Sequence, residues 1–241
     1  IAFKPAGAVR KFLLTPEKCV QLQVGFGSDV LFCLDDCTHV DDSPDEQLAS
    51  VQRTILWSER CRLEYDRLLD EKKIPQAERP RLFAIIQGGG STDLRRQCAD
   101  ALLKIGFDGY GYGGWPLDSQ GNLVSDMLAL CRELIPAPFP LHALGVGHPV
   151  FVAQCAAMGY GLFDSAMPTR DARHGRLYRM RFQPSGSQLF KDKDWLEYVY
   201  VADDRHIKET RPIEPGCDCP TCQRFSLAYL RHLYKLNDCL Y

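Results

Sequence analysis

The sequence predicts an α/β protein with a parallel sheet, and within that class a (β/α)8 TIM-type barrel that is incomplete in this chain. Three observations carry the expectation. Apolar runs of four to seven residues alternate with helical patterns of ten or more, which is the signature of βα units. Five consecutive runs end in polar or glycine-rich turns, holding Asp35 and Asp36, Gln87, Gly113 and Gly114, Gly145 and His148, and Asp164. In a barrel the C-terminal ends of all strands converge on one face, and that face carries the site. A doubly wound sheet also collects loops on one edge, but it usually announces a nucleotide by a phosphate loop. Here "GYGYGG" (109–114) is a strand plus its turn, with no helix opening directly after it.

The elements follow in order. "DVLFCL", Asp29 to Leu34, is a short buried strand. A long helix runs from Ser43 to Lys73, with Ser43 as cap, Pro44 in the first turn and Glu46 completing a capping box. "RLFAIIQ", Arg81 to Gln87, is a strand stopped by Gly88, Gly89 and Gly90. Ser91 caps the helix Thr92 to Ile105. Asp108 to Tyr112 is a strand, Val124 to Ile135 a helix, Leu141 to Gly147 a strand, Pro149 to Gly159 a helix and Gly161 to Asp164 the last strand. Beyond Phe182 the chain turns polar and reads as loops and a short hairpin, so residues 1–182 are expected to form the barrel portion. Residues 183–241 are expected to form an insertion and a zinc-binding subdomain.

Composition excludes little. The 241 residues are 45% apolar and 25% charged, with a net charge near −2. That is ordinary for a globular chain, and only a local basic patch would point to nucleic acid. No apolar stretch is long enough for a transmembrane helix, so no membrane partner is expected. The chain starts at Ile1 without a methionine or signal pattern and reads as part of a longer protein. Seven of its eleven cysteines, Cys19, Cys33, Cys37, Cys61, Cys98, Cys131 and Cys155, are scattered through apolar or helical patterns and read as small buried hydrophobes. An odd count without a secretory signal argues for a reducing cytoplasm and against a disulfide framework.

Two stretches carry chemistry. "CDCPTC" places Cys217, Cys219 and Cys222 on one tight loop. Three thiolates at C-x-C-x-x-C spacing favour a closed, tetrahedral, structural Zn2+ site. The fourth ligand is open: His232 and Cys239 follow, but neither spacing is persuasive, and a histidine beyond residue 241 is expected. The second stretch is "YGLFDSAMPTRDARHGR", an apolar run that ends on Asp164 and leads into Arg170, Arg173 and Arg176. Ending such a run, the Asp164 carboxylate is expected to be partly desolvated. Taken alone it is a nucleophile, a helix cap or one half of an ion pair.

"LDDCT", "FAIIQGG", "IGFDGYGYGG", "ALGVGHP", "FDSAMPTRDARHG" and "CDCPTCQRFSLAYLRHL" follow one another in an order that resembles the tRNA-guanine transglycosylases, in their bacterial and eukaryotic queuine-type form. The resemblance spans nearly the whole chain and is weakest between Phe182 and Pro215. It implies a (β/α)8 barrel with an inserted zinc subdomain, and exchange of guanine in a tRNA anticodon loop for a free 7-deazaguanine base, queuine or 7-aminomethyl-7-deazaguanine. By resemblance Asp164 is the nucleophile that forms a covalent glycosyl-aspartate. Asp35 holds the Watson–Crick edge of the base, Cys37 lies near the heterocycle, and Gln87 with the N–H of Gly114 bonds the base carbonyl. Gly113 lets the backbone approach, and Leu144 and Gly145 floor the pocket. Arg170 and Arg173 contact the anticodon loop, with His148 where a lysine is common. A homodimer or heterodimer is a further implication.

The departures from the family are specific. Its N-terminal third, with an S-D-S-G-G motif carrying the general acid/base, has no counterpart in the residues given. Trp115, Pro116, Leu117 and Asp118 replace small residues and a glutamate that help sort the base substituent. Three other readings stand beside the leading one. They are a deazaguanine transglycosylase acting on DNA, a non-catalytic RNA-binding partner subunit, and a zinc-stabilised barrel with an unknown small ligand.

Overall fold

A computed structural model describes residues 1–7, 9–181, 194–239 and 241. The stretch 182–193, where the expected polar insertion begins, lies outside the described residues. The chain divides into two compact units, one of residues 1–145 and 158–163, the other of residues 146–157 and 164–241.

The first unit opens with a two-residue hairpin, β1 (Ala2–Phe3) and β2 (Phe12–Leu13), followed by helix α1 (Pro16–Gly25). Then come β3 (Val30–Phe32), α2 (Pro44–Glu71), β4 (Arg81–Ile86), α3 (Thr92–Ile105), β5 (Gly109–Tyr112), α4 (Ser125–Leu134), β6 (Leu141–Ala143) and, after α5 (Pro149–Met158), β7 (Leu162–Phe163). Strands β3 to β7 form one parallel sheet in sequence order, curled as a partial barrel. The mixed α/β architecture therefore stands as expected.

The local causes are visible in the caps. Ser43 Oγ accepts from the Glu46 N–H, and the Glu46 carboxylate accepts in return from the Ser43 N–H at 3.0 Å. This is the capping box that fixes the start of α2. Ser91 caps α3 by accepting from the Leu94 N–H. Helix α1 was not expected, although its signal was present: Thr15 accepts from the Lys18 N–H and Pro16 takes the first turn.

β4 is buried from Leu82 to Ile86, which suits a central parallel strand covered on both faces. Leu31 pairs with Leu82, Phe83 with Gly109 and Tyr112 with Ala143. Gly109 is required opposite Phe83, since a Cβ there would lie 2.4 Å from the Phe83 ring. The helices bury Val20, Val51, Cys61, Cys98, Leu102 and Leu128. Cys33, Cys61, Cys98, Cys131 and Cys155 are buried free thiols as expected, whereas Cys37 is exposed.

The second unit holds α5 up to Ala157, α6 (Met167–Arg173), the antiparallel hairpin β8 (Arg176–Met180) and β9 (Leu196–Tyr200), and helices α7 (Pro220–Arg224) and α8 (Leu227–Leu236). The hairpin starts before Phe182, and the stretch after Asp164 that carries Arg170 and Arg173 forms the short helix α6. Trp195, Val199, Val201, Leu227, Leu230 and Leu233 are buried.

Leu102 is fully buried on the inner face of α3. Leu102→Ala should cost about 2–5 kcal/mol through lost burial and a residual cavity. The urea midpoint measures this, and an unchanged midpoint would place α3 off the core.

Candidate functional site

Parallel pairing brings the C-terminal ends of the strands of the first unit to one edge of the sheet. Asp35 follows β3, Gln87 follows β4, Gly113 and Gly114 follow β5, and Leu144 and Gly145 follow β6. The structure joins the first four of these residues directly. Gln87 is fully buried, and its Nε2 donates to Asp35 Oδ2 at 2.6 Å. Its Oε1 is buried without a hydrogen-bond partner. Burial of the Asp35 carboxyl pushes its pKa up, against the pull of the Gln87 donor, and the neighbouring Asp36 adds to the rise.

The Gly113 N–H donates to Ile86 O at 2.9 Å, and a Cβ on Gly113 would lie 2.6 Å from Gln87 Nε2. Gly114 has φ +87° and sits 2.9 Å, by its absent Cβ, from Thr38 O. Only glycine combines that backbone with that approach. The Gly114 N–H reaches the Cys37 thiol, whose pKa is nonetheless pushed up by desolvation and the Asp35 charge. Leu144 packs over Gly111, where a Cβ would meet Leu144 Cδ1 at 2.5 Å, and Gly145 is exposed with φ +74°.

The support of this edge was not foreseen. Four polar residues of α2, Gln47, Ser50, Thr54 and Ser58, are buried. Ser50 Oγ donates to Asp36 O at 2.5 Å, and Thr54 Oγ1 accepts from the Asp36 N–H at 3.0 Å. Arg53 pairs with the Asp36 carboxylate. Gln47 accepts from Thr38 Oγ1 at 2.7 Å and donates to His39 O. Thr38 O in turn accepts from the Trp115 N–H at 3.2 Å. The signal was a polar stripe at 47, 50, 54 and 58, on a helical face whose spacing otherwise calls for apolar residues.

In the second unit Asp164, the residue after β7 in the chain, is exposed. The expectation of a partly desolvated carboxylate is therefore corrected: the run before it is only Leu162–Phe163, with Leu162 itself 39% exposed. The following Ser165 Oγ accepts from the Met167 N–H at 3.1 Å. A Cβ on Gly147 would lie 2.1 Å from Ser165 Cβ, so glycine lets these two loops touch.

Arg170 and Arg173 are exposed on α6. The helix is held by buried Asp171, which accepts from Arg176 Nη2 at 2.7 Å and from the Tyr178 hydroxyl. Burial raises the Asp171 pKa, but those two donors outweigh it and hold the carboxyl below its ordinary value. His148 is half-buried, with Nε2 2.7 Å from the Tyr198 hydroxyl.

The sulfurs of Cys217, Cys219 and Cys222 lie within 4.8 Å of one another. Among the described residues the cluster has these three members, and His232 and Cys239 are exposed outside it. Cys219 caps α7, its sulfur accepting from the Cys222 N–H at 3.4 Å. That bond, with contacts to the other two thiols, lowers its pKa, whereas burial pushes Cys222 up to about 11. A donor set of three close soft sulfurs fits a thiolate-binding metal. No helix among the described residues is long and apolar enough to cross a membrane.

A family model described as queuine tRNA-ribosyltransferase matches residues 3–241. The queuine tRNA-ribosyltransferase of Aliivibrio salmonicida is 36% identical over 230 residues, 95% of this chain and 55% of that protein. That of a Psychrobacter species is 34% identical over 240 residues, all of this chain and 58% of that protein. That of a Shewanella species is 37% identical over 230 residues, again 95% and 55%. The chain thus spans about half the length of the curated relatives it matches.

The raised Asp35 pKa makes stability depend on pH. The folded protein holds this proton to higher pH than the unfolded chain does. The contribution of Asp35 is therefore full below the ordinary carboxylate value, about 3.9, and is lost as pH rises through the raised value. Asp35→Asn cannot ionise, so its melting temperature should gain on the wild type as pH rises from the ordinary carboxylate value through the raised one. Each kcal/mol amounts to about 2–4 °C in a chain of this size. A difference that stays constant across this range would mean that Asp35 is not desolvated.

Proposed function

Because this chain belongs to the queuine tRNA-ribosyltransferase family, we propose that it exchanges guanine in a tRNA anticodon loop for a 7-deazaguanine base, through a covalent intermediate on Asp164. The observation that carries the reading is the hydrogen bond between half-buried Asp35 and buried Gln87 beside the Gly113–Gly114 turn. Asp35 offers acceptor oxygens to a ring N–H and an exocyclic amine. Gln87 brings a second Nε2 hydrogen for a base carbonyl and an Oε1 that lacks a donor. The Gly114 N–H adds another donor, Cys37 and Leu144 border the ring, and Gly145 leaves its edge open. This is a set of partners for a guanine-like edge.

In the first step an Asp164 oxygen bonds to ribose C1′ as the bond to guanine N9 breaks, its electron pair leaving with the base. The transition state resembles an oxocarbenium ion, which a carboxylate stabilises and then traps. Guanine leaves with a proton from a general acid, which the family supplies from a segment outside this match. The ring nitrogen of the incoming base then bonds to the same carbon, giving its proton to the group that protonated guanine, and Asp164 departs as the carboxylate. The intact nucleophile motif favours this over a non-catalytic partner subunit.

Arg170 and Arg173, and His148 beside them in the motif order, would hold the anticodon loop. Arginines on an exposed helix can reach phosphates and splayed bases. Cys217, Cys219 and Cys222 would hold a structural Zn2+ with a fourth ligand, in a zinc-binding subdomain within 183–241, with 1–182 contributing to a (β/α)8 barrel. Bound there, the metal fixes the loop and takes no part in the chemistry. The protein would act in the cytoplasm as a homodimer or heterodimer.

Two measurements test the reading in the complete protein. Wild type with tRNA and a slow second base should accumulate a denaturation-resistant protein–RNA adduct. Asp164→Asn should keep the tRNA affinity, form no adduct and lose exchange by several orders of magnitude; a normal adduct yield would move the nucleophile elsewhere. Cys219→Ser should lose zinc and melting temperature together, because metal affinity contributes to folding. Loss of metal at an unchanged melting temperature would refute the structural role.

A further inference from the structure

Arg95 is the largest fully buried side chain among the described residues, 1% exposed in the first turn of α3. Burying a cation is costly unless its hydrogen bonds are made. Here the partners are three carbonyls and a ring face. Nε donates to Gly89 O at 3.1 Å, and Nη1 donates to Ile86 O at 2.5 Å and to Gly113 O at 2.9 Å. The guanidinium carbon lies 4.2 Å from the centre of the Tyr112 ring, a cation–π contact. One side chain therefore ties together the end of β4, the glycine turn after it and the turn after β5.

The bond to Gly113 O has a consequence beyond holding turns together. The Gly113 carbonyl and the Gly114 N–H are two ends of one peptide plane. That peptide is trans, like every other described in the chain, so its C=O and N–H point in opposite directions. Arg95 takes the oxygen, and the N–H is turned the other way, to the side where Cys37 stands. A peptide flanked by glycine on both sides has little of its own to resist a flip, because neither residue carries a Cβ. The guanidinium supplies what the local sequence does not.

We infer that Arg95 is a positioning residue that fixes the Gly113–Gly114 peptide so that the Gly114 N–H points at the carbonyl of the bound base. This rests on the proposed base site, and makes Arg95 a determinant of selectivity for an oxygen at that ring position. It touches neither substrate nor reacting atoms.

The test uses guanine and 6-thioguanine, which share the ring N–H and the amine but differ in the strength of the acceptor. In the complete wild-type protein guanine should bind about tenfold tighter, the equivalent of one hydrogen bond of about 1.4 kcal/mol. Arg95→Ala should reduce that preference to about twofold at unchanged tRNA affinity. Arg95→Lys, which keeps the charge and reaches fewer carbonyls, should fall between. A purely structural role would lower the melting temperature and weaken both bases equally, so an unchanged ratio in a folded variant overturns the inference. If Arg95→Ala does not fold, wild type labelled with 15N-glycine gives the answer. The Gly114 amide proton should move downfield with guanine and less with 6-thioguanine, and an amide that ignores guanine overturns the inference. Wild type that binds no guanine at all would instead overturn the base site itself, and the role of Arg95 with it.

Discussion

Parallel pairing of β3 to β7 is the constraint on which the first unit depends. Parallel strands need a crossover after each strand, and every crossover returns the chain to the same starting edge. Each strand then ends at the opposite edge, so residues far apart in sequence, Asp35, Gln87 and Gly113 among them, gather without any local signal joining them. Burial on both faces makes the register unforgiving. Gly109 must stand opposite Phe83 and Gly111 under Leu144, because any side chain there would occupy space already filled. The glycines of "GYGYGG" thus have two uses: the first three admit neighbouring side chains, and the last admits close backbone.

What was legible in the sequence follows from which forces are local. Capping is local, so Ser43, Pro44, Glu46 and Ser91 marked the starts of α2 and α3 correctly. The apolar runs marked every strand of the sheet, and β4 to β6, buried almost throughout, need no alternation to be seen. Helix α1 escaped because it buries only Pro16 and Val20 and carries little periodicity. Helix α6 escaped because seven residues with two exposed arginines look like a solvated turn. The site divides in the same way. Asp35, Gln87, Gly113 and Gly114 could be named from motif order. Arg95 could not, because a charged residue on a helix is ordinarily exposed and only the three-dimensional convergence of carbonyls gives it work, whereas Ser50 and Thr54 left a polar stripe on α2 whose partner, the 35–36 turn, no local pattern names.

The edge of the sheet is built in two layers. The outer layer is the set of groups proposed to meet the base. Behind it lie side chains that bond chiefly to backbone: Gln47, Ser50 and Thr54 of α2 under residues 36–39, and Arg95 of α3 under the two glycine turns. This arrangement answers a difficulty of glycine-rich sites. Glycine permits close approach but leaves the chain poorly determined, and buried side chains fixed to helices supply the rigidity at the cost of burying polar groups. Those groups are satisfied, which is what separates a stable polar interior from a defect.

Asp35 and Asp164 show how one side chain takes different properties from its surroundings. Asp35 is desolvated, faces an uncharged amide and has a raised pKa. Such a carboxylate has few donors of its own, so a ligand bringing a ring N–H and an amine stabilises its charged form and is held by it. Asp164 is exposed, after a strand of only two residues. Water solvates an exposed carboxylate and blunts its attack on carbon, and excluding that water strengthens every charge interaction left inside. On the proposed reading, the desolvation that activates Asp164 is therefore not built into the described residues, and a bound polynucleotide would contribute to it. Seating the RNA would thus make the nucleophile more effective, which couples the chemistry to recognition by the arginines that follow it in the same motif.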